Sequence, residues 1–233
     1  MLVLFDIDGT LLDAGGAGRA ALGAAMVEEL GPDVEPVNVE IAGCTDRGIL
    51  EDLLAAYDLP DNEENFSRIL QIYIGHLPAC LARCPGEVLP GVPELLEALL
   101  KMADVHLGLL TGNVKVAAHA KLQHLGIDTP FLFGGYGDDH ADRADVAAAA
   151  VAAAEEHLGE SIAPDQIVVI GDTRNDIRCA RAIGAAAVAV ETGFATPAEL
   201  RDEGADLQIA DFSERTPVLD FIRQRMDGGY LNP

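Results

Sequence analysis

Basic residues are scarce in this sequence. Its 233 residues include 15 Lys and Arg against 39 Asp and Glu, which gives a formal net charge of −24. A field of this sign repels nucleic acids and anionic membranes, so neither is an expected partner. An anionic substrate must therefore meet a local positive site or a bound cation in order to bind.

The sequence also lacks a long hydrophobic run. Hydrophobic residues make up 49% of the chain, but none of the apolar stretches approaches the roughly 20 residues of a membrane-spanning helix. The apolar N-terminal stretch has no basic segment before it and soon reaches Asp6, which is unlike a secretory signal peptide. These features predict a cytoplasmic protein.

Cysteine is limited to four positions, Cys44, Cys80, Cys84 and Cys179. Only Cys80 and Cys84 lie close together, and neither a second pair nor a suitably spaced histidine completes a zinc motif. The pattern favours packing of these side chains in helices, in a reducing compartment, over a metal or redox role.

The chain alternates short apolar runs with amphipathic helical patterns. The predicted strands are Leu2–Asp6, Val105–Leu110, Phe131–Phe133, Ile167–Ile170, Ala187–Val190 and Leu207–Ile209. Helical patterns between them include "VPELLEALLKM" (92–102), "VAAHAKLQHLG" (116–126) and "DIRCARAIG" (176–184). Near-continuous apolar strands alternating with helices predict an α/β fold, a doubly wound parallel sheet covered on both faces.

One region interrupts this alternation. Between about Gly18 and Arg83 the sequence has helical patterns and no convincing strand, and Gly and Pro clusters flank the region on both sides. We therefore predict an all-helical cap at residues 15–85, inserted into an α/β catalytic core formed by residues 1–14 and 86–233.

Polar residues follow three of the predicted strands directly, in "LFDIDGT", "LGLLTGN" and "VVIGDTRND". In an open parallel sheet the carboxyl ends of the strands form the ligand-binding edge. Two of these segments bring Asp6, Asp8, Asp172 and Asp176 to that edge, where their charges repel one another unless a cation lies among them. Mg²⁺ suits such a set, because it prefers carboxylates, water and substrate phosphate.

Two other motifs are weaker matches. Asp6 and Asp8 resemble the start of a calcium loop, but Thr10 and Ala17 stand where that loop needs an acid or amide and a glutamate. "GAGRAA" (16–21) matches the dinucleotide fingerprint, but it does not directly follow a strand. Neither reading is favoured.

Three motifs together resemble the haloacid dehalogenase-like (HAD) hydrolase superfamily. "DIDGT" (6–10), "LLTGN" (109–113) and "GDTRND" (171–176) are similar to its first, second and fourth motifs, in the same order. The helical insert resembles its C1 cap. "GGAGRAAL" (15–22), "GCTDRGIL" (43–50), "PGVPELLEAL" (90–99) and "GDDHADR" (137–143) resemble the phosphoglycolate phosphatase-like branch.

The resemblance implies a role for each acid. Asp6 is expected to be the nucleophile that forms an aspartyl-phosphate, and Asp8 the general acid and then the general base. Related dehalogenases lack an acid at the second position, so Asp8 indicates phosphoryl transfer. Mg²⁺ is expected to bind Asp6, the backbone carbonyl of Asp8, Asp172 and Asp176, the last directly or through water.

The second motif is expected to hold the phosphoryl group. The resemblance implies that Thr111 and the backbone amides at Gly112 and Asn113 bind phosphoryl oxygens, with help from a helix N-terminus. Taken singly, Thr111 is equally consistent with a helix cap, as are Asp8 and Asp176.

The chain departs from the family at the third motif, which normally supplies a lysine. No lysine follows Lys121, and Arg143 is the best candidate for the role, with Lys115 less favoured. The alternative is that Arg143 forms a surface ion pair with Asp139 or Asp142.

The cap is expected to determine the substrate specificity. The segment "GCTDRG" (43–48) is the best candidate for a loop that closes over the core, with Arg47 meeting a carboxylate or second phosphate. It is equally consistent with the sequence that Asp46 caps a helix and Arg47 faces water.

The leading hypothesis is a Mg²⁺-dependent phosphatase acting on a small phosphorylated metabolite, as a monomer or a homodimer. A sugar-phosphate mutase on the same scaffold is the second hypothesis, and a non-catalytic phospholigand-binding protein is the third. Asp8 argues against the third, because a binding protein has no need of a proton donor. The sequence does not identify the substrate.

Overall fold

The computed structural model describes residues 1–138 and 140–228. Its strands are β1 (Leu2–Phe5), β2 (Leu12–Asp13), β3 (Glu87–Val88), β4 (His106–Leu110), β5 (Gly134–Gly135), β6 (Ile167–Gly171), β7 (Ala186–Val190) and β8 (Leu207–Ile209). Its helices are α1 (Ala17–Leu30), α2 (Asp46–Ala56), α3 (Glu63–Arg83), α4 (Val92–Leu100), α5 (Lys115–His124), α6 (Arg143–Leu158), α7 (Arg174–Ala182), α8 (Pro197–Glu203) and α9 (Thr216–Met226). A short 3₁₀ helix spans Pro164–Gln166.

The main sheet has the strand order β5-β4-β1-β6-β7-β8, and every pairing in it is parallel. The central strand β1 is buried along its whole length. Phe5 lies opposite Leu109 of β4 and Ile170 of β6, so these three strands end at the same edge. This register places the segments after β1, β4 and β6 side by side.

Helices cover both faces of the sheet. Val3 and Phe5 belong to one buried apolar cluster, whereas Leu2 and Leu4 belong to another on the opposite face. Alternate residues of a strand point to opposite faces, so an apolar run buries both. The predicted doubly wound α/β fold is confirmed.

The strand predicted at Phe131–Phe133 lies further along the chain, at Gly134–Gly135. The backbone already runs beside β4 at Phe133, whose carbonyl accepts a hydrogen bond from Leu109 N at 3.1 Å. A Cβ at Gly135 would lie 2.2 Å from the carbonyl oxygen of Val146. Gly135 therefore allows α6 to approach the sheet, whereas a Cβ at Gly134 would lie 2.8 Å from Leu109 Cβ in the neighbouring strand β4. Local strand propensity does not reveal such tertiary requirements.

Between β2 and β3 the chain forms α1, α2 and α3, with no strand among residues 14–86. The strands β2 and β3 pair antiparallel, so the two crossings between the sheet and this helical region lie together. The helix α3 continues through Pro78 and ends at Arg83. The division into a core (1–14 and 86–233) and a cap (15–85) stays a prediction, and residues 229–233 lie outside the described part.

Within residues 1–138 and 140–228, none of the helices combines the length and the apolar character that are needed to cross a bilayer.

Candidate active site

Three buried carboxylates converge at the carboxyl edge of the sheet. Asp6 follows β1, Asp172 follows β6, and Asp176 lies in the first turn of α7. Each offers an oxygen within 4.8 Å of the others. Asp8 also lines the cavity at this edge, so the structure brings together the four acids that the sequence singled out.

Local hydrogen bonds hold these acids in place. Asp6 N continues the β-ladder by donating to Ile170 O at 3.0 Å. Thr173 and Asp176 form a capping box at the start of α7, in which Asp176 Oδ2 accepts from Thr173 N and Oγ1. Asp176 Oδ1 accepts from Arg143. Both oxygens of Asp176 therefore accept hydrogen bonds within the site.

Asp172 depends on close backbone approach. Its Oδ2 accepts from Phe194 N at 2.8 Å and its Oδ1 from Thr10 Oγ1 at 3.2 Å. A Cβ at Gly193 would lie 1.8 Å from that Oδ2, and one at Gly9 would lie 2.6 Å from it. Gly9 also has a φ of +84°, in the left-handed region. Both positions therefore require glycine.

The electrostatics of the cluster call for added positive charge. Burial, together with repulsion from Asp176 and Asp8, raises the pKa of Asp6 to about 7 despite the neighbouring Arg143. Burial and repulsion from Asp176 and Asp6 raise the pKa of Asp172 to about 8. Hard oxygen donors held against one another fit a divalent cation such as Mg²⁺, which would relieve that repulsion.

Arg143 is the cation nearest the cluster. It is the first residue of α6, it is buried, and its Nη2 donates to Asp6 Oδ1 at 3.3 Å and to Asp176 Oδ1. Although burial opposes the charged form, Asp176 and Asp6 raise the pKa of Arg143. Of the two surface partners considered from the sequence, Asp142 accepts from Ala144 N as the cap of α6, and Asp139 lies outside the described residues. Arg143 therefore contacts the acid cluster directly, and its role as the third-motif cation stays a prediction.

The segment after β4 forms a hydrogen-bonded unit with Asp8. Asn113 Nδ2 donates to Thr111 Oγ1 and to Asp8 Oδ2, both at 2.8 Å. The backbone amides at the start of α5, which were expected to help bind phosphate, already donate hydrogen bonds to side chains of the protein. Val114 N donates to Asp46 Oδ2, and Lys115 N donates to Asp138 Oδ2. Thr111, Gly112 and Asn113 themselves line the cavity.

Lys121 also lies in the site, although it belongs to none of the sequence motifs described above. Its Nζ donates to Asp8 Oδ2 and to Asn113 Oδ1, both at 2.6 Å. It shares the buried face of α5 with Ala117, Ala118 and Leu122. A lysine in the apolar stripe of an amphipathic helix is the signal that could have identified it. Lys115, the less favoured candidate for the third-motif role, is exposed, and its ammonium group lies over the Tyr136 ring.

Arg47, predicted to bind substrate, does not line the cavity. Its guanidinium pairs with Glu51 and Glu63 and lies 4.4 Å from the centre of the Phe66 ring. The cavity, of about 520 Å³, is instead lined by Arg19 from α1 and by Tyr73 from α3. Arg19 has no ion-pair partner in the described part of the chain.

Residues 43–46, part of the predicted "GCTDRG" loop, contact the segments that follow β4 and β6; the role of this loop in closing over the core stays a prediction. Asp46 N donates to Gly112 O at 2.7 Å, and Asn175 Nδ2 donates to Gly43 O at 2.8 Å. The cap of α2 is Thr45, whose Oγ1 accepts from Gly48 N. Asp46 is instead buried against the second motif, and this burial raises its pKa to about 6.

The close contact at Gly112 yields a prediction. A Cβ at this position would lie 2.0 Å from Cys44 O, so Gly112→Ala should push the 43–46 loop off the core. We expect kcat/KM to fall by about tenfold or more, the effect of an overpacked contact. Steady-state kinetics and a melting curve measure the change.

Gly23→Ala is the matched control, because a Cβ at this position of α1 meets nothing within 4 Å. It should leave the kinetics unchanged. Wild-type kinetics in Gly112→Ala would show that contact between the loop and the core is not needed for activity.

Comparison with known proteins supports the same reading of the fold and identifies the family. A family model described as haloacid dehalogenase-like hydrolase matches residues 1–184, a span that contains all three motifs and the acid cluster. The chain belongs to this family, which confirms the resemblance stated from the motifs. It is therefore a hydrolase.

Three relatives illustrate the similarity. A phosphoglycolate phosphatase from Chromobacterium violaceum is 31% identical over 219 residues, covering 91% of this chain and 93% of that protein. An N-acetylmuramic acid 6-phosphate phosphatase from Pseudomonas aeruginosa is 30% identical over 234 residues, covering 94% of each. The crystal structure of a hydrolase from Pseudomonas syringae has a TM-score of 0.71 and 25% identity, covering 95% of this chain and 98% of that one.

Proposed function

We propose that this protein is a Mg²⁺-dependent phosphatase, similar to the phosphoglycolate phosphatases, that hydrolyses small phosphomonoesters through an aspartyl-phosphate on Asp6. One observation carries the proposal. A buried carboxylate with an arginine beside it shares a cavity with a second acid, Asp8, which is bonded to Asn113 of the second motif. Nucleophile, proton donor and phosphate-binding groups are thus side by side.

Each residue of the site has a separate role in the proposed reaction. Asp6 attacks phosphorus while Thr111, Gly112 and Asn113 bind phosphoryl oxygens. Arg143 favours the charged form of the buried Asp6 carboxylate and holds it in place. Asp8 gives its proton to the leaving oxygen and later takes one from the water that hydrolyses the aspartyl-phosphate. Asp6, the Asp8 carbonyl, Asp172 and Asp176 would hold Mg²⁺, which would supply positive charge to offset the anionic nucleophile and phosphate.

The cavity and the relatives indicate the substrate class. A volume of about 520 Å³ is within the usual range for a small-molecule site. Relatives about 30% identical are named for phosphoglycolate and for N-acetylmuramic acid 6-phosphate. Arg19 lines the cavity and has no ion-pair partner among residues 1–138 and 140–228, so it takes the role predicted for Arg47, contact with a second anionic group of the substrate.

The test is a measurement of phosphate release from a panel of phosphate esters, including phosphoglycolate and amino-sugar phosphates, with Mg²⁺ and with a chelator. We expect Mg²⁺-dependent release of phosphate, with phosphoglycolate among the better substrates. Isomerisation of a hexose phosphate without net release would instead favour the mutase, and binding without turnover would favour a non-catalytic role. A cytoplasmic location and a monomeric or homodimeric state stay predictions.

The raised pKa values of Asp6 and Asp172 predict how metal binding depends on pH. Between the ordinary carboxyl value of 3.8 and the raised values of about 7 and about 8, the metal-free folded chain holds protons that the unfolded chain has released. The free energy of unfolding contributed by these groups therefore falls as pH rises through this window. Mg²⁺ displaces the protons, and its apparent affinity rises by up to about tenfold per pH unit for each proton released.

Thermal melting checks this prediction. Mg²⁺ should raise the midpoint more at about pH 8 than at about pH 6, and Asp172→Asn should largely lose the shift. An equal shift at both pH values in the wild-type protein would mean that these carboxylates do not take up the ion.

A further inference from the structure

Lys121 is a buried cation that the roles given above leave unused. Its side chain is only 7% exposed, and it enters the site from α5. Burying an ammonium group is costly unless strong partners replace its water. Its partners are the proton donor of the proposed reaction, Asp8, and the second-motif residue Asn113.

The hydrogen bonds at Asp8 all fall on one oxygen. Asp8 Oδ2 accepts from Lys121 Nζ at 2.6 Å and from Asn113 Nδ2 at 2.8 Å. Among the described residues, no hydrogen bond reaches Oδ1. An oxygen that accepts from two donors stays an acceptor whether the carboxyl is ionised or protonated. The catalytic proton is therefore carried by Oδ1.

Asn113 is itself fixed by the same lysine. Its Oδ1 accepts from Lys121 Nζ, so its Nδ2 is directed to Asp8 and to Thr111 Oγ1. Lys121 thereby sets the orientation of the amide as well as that of the carboxyl group. Without the ammonium group, Asn113 Oδ1 loses this donor, and the orientation of the amide then depends on the contacts of Nδ2 with Asp8 and Thr111.

The surroundings of Lys121 limit its motion. A Cβ at Gly18 would lie 3.7 Å from Lys121 Nζ and 3.9 Å from the Tyr73 hydroxyl, so the ammonium group lies beneath the start of α1 and near α3. On α5 its neighbours Ala117, Ala118 and Leu122 are also buried. A long, flexible side chain is thus confined to one position, as an orienting contact requires.

We propose that Lys121 is a positioning residue for proton transfer, holding Asp8 Oδ2 so that Oδ1 delivers the proton to the leaving oxygen. This inference rests on the proposed function. In the first step the Asp6 oxygen–phosphorus bond forms, the bond to the leaving oxygen breaks, and the Asp8 Oδ1 proton moves to that oxygen. In the second step water attacks phosphorus, the bond to Asp6 breaks, and a proton of the water returns to Oδ1.

The experiment compares two kinds of leaving group in Lys121→Met. Alkyl phosphates such as phosphoglycolate need a proton on the departing alkoxide, whereas p-nitrophenyl phosphate releases a stable phenolate without one. Since kcat/KM reports the steps up to phosphoryl transfer, it isolates the role of Asp8 as an acid. We expect kcat/KM for the alkyl ester to fall by about 100-fold, mostly in kcat, and that for the aryl ester by less than about tenfold.

Lys121→Arg and Lys101→Met complete the comparison. The arginine keeps a cation at the site, so the alkyl-to-aryl ratio of kcat/KM should fall less than in the methionine variant. Lys101 is a surface residue, 71% exposed and paired with Glu97, and Lys101→Met should leave kcat/KM for both esters unchanged. If Lys121→Met does not fold, the ratio in Lys121→Arg carries the test.

An equal loss on both esters, or no loss on either, would overturn the positioning role while leaving the phosphatase intact. A wild-type protein that releases phosphate from neither ester would refute the proposed function, and the role of Lys121 would fall with it. The two failures are therefore distinguished by the wild-type measurement.

Discussion

Asp6→Asn should lower phosphate release by about four orders of magnitude or more, as removal of a nucleophile typically does. The amide is nearly the same size as the carboxylate but does not attack phosphorus. We do not expect the fold to suffer, because burial raises the pKa of Asp6 to about 7 and the metal-free pocket already tolerates an uncharged side chain. Phosphate release and a melting curve measure both effects.

Asp61→Asn is the matched control, since Asp61 is exposed and far along the chain from the three motifs. It should behave as wild type. Turnover of Asp6→Asn at a rate near that of the wild type, after deamidation has been excluded by mass spectrometry, would assign the nucleophile to another residue.

Removal of the Arg143 guanidinium should produce the second large effect, on both stability and activity. Arg143→Met leaves Asp6 and Asp176 without the cation that both contact, in a buried setting. Breaking a buried pair by removing one partner costs about 3 kcal/mol or more of stability, and misplacing the nucleophile costs about 100-fold in rate. We therefore expect a lower melting midpoint and a kcat reduced by at least that factor.

Arg143→Lys separates charge from shape. A single nitrogen, Nη2, contacts both acids, and Nε has no hydrogen-bond partner among the described residues. The site therefore uses only part of the donor set of the guanidinium. A lysine side chain, which is one bond shorter, should recover much of the activity and stability that the methionine variant loses. If Arg143→Lys is as inactive as Arg143→Met, the role of Arg143 depends on its full reach; if Arg143→Met is fully active, Arg143 is dispensable.

The sheet and the acid cluster could be predicted because both depend on local pattern. The apolar run ending at Asp6 and the run ending at Asp172 mark buried strands, and parallel strands end at a common edge. The structure places these acids within a few ångströms of one another, as that rule requires. The apolar run Phe131–Phe133 does not mark the position of β5, because the close approach of α6 to Gly135 determines where this strand pairs with β4.

Side-chain partners far apart in sequence could not be predicted in the same way. Arg47 turns to Glu63, sixteen positions away, because that acid is presented by the neighbouring helix α3. Lys121 reaches Asp8 across 113 positions of sequence, and only its place on the apolar face of α5 hinted at a buried role. Such pairings depend on how helices pack, which strand and helix periodicity leaves open.

The most direct measurement is to locate the phosphoryl group on the enzyme during turnover. Wild-type enzyme and the Asp8→Asn variant, which should hydrolyse the intermediate slowly, are mixed with substrate and Mg²⁺, quenched in acid and mapped by peptide mass spectrometry. We predict a single added phosphoryl group on the N-terminal peptide, at Asp6, which hydroxylamine removes and which is absent when Mg²⁺ is chelated. A phosphoryl group on any other residue, or turnover with an unmodified Asp6 in both proteins, would contradict the account.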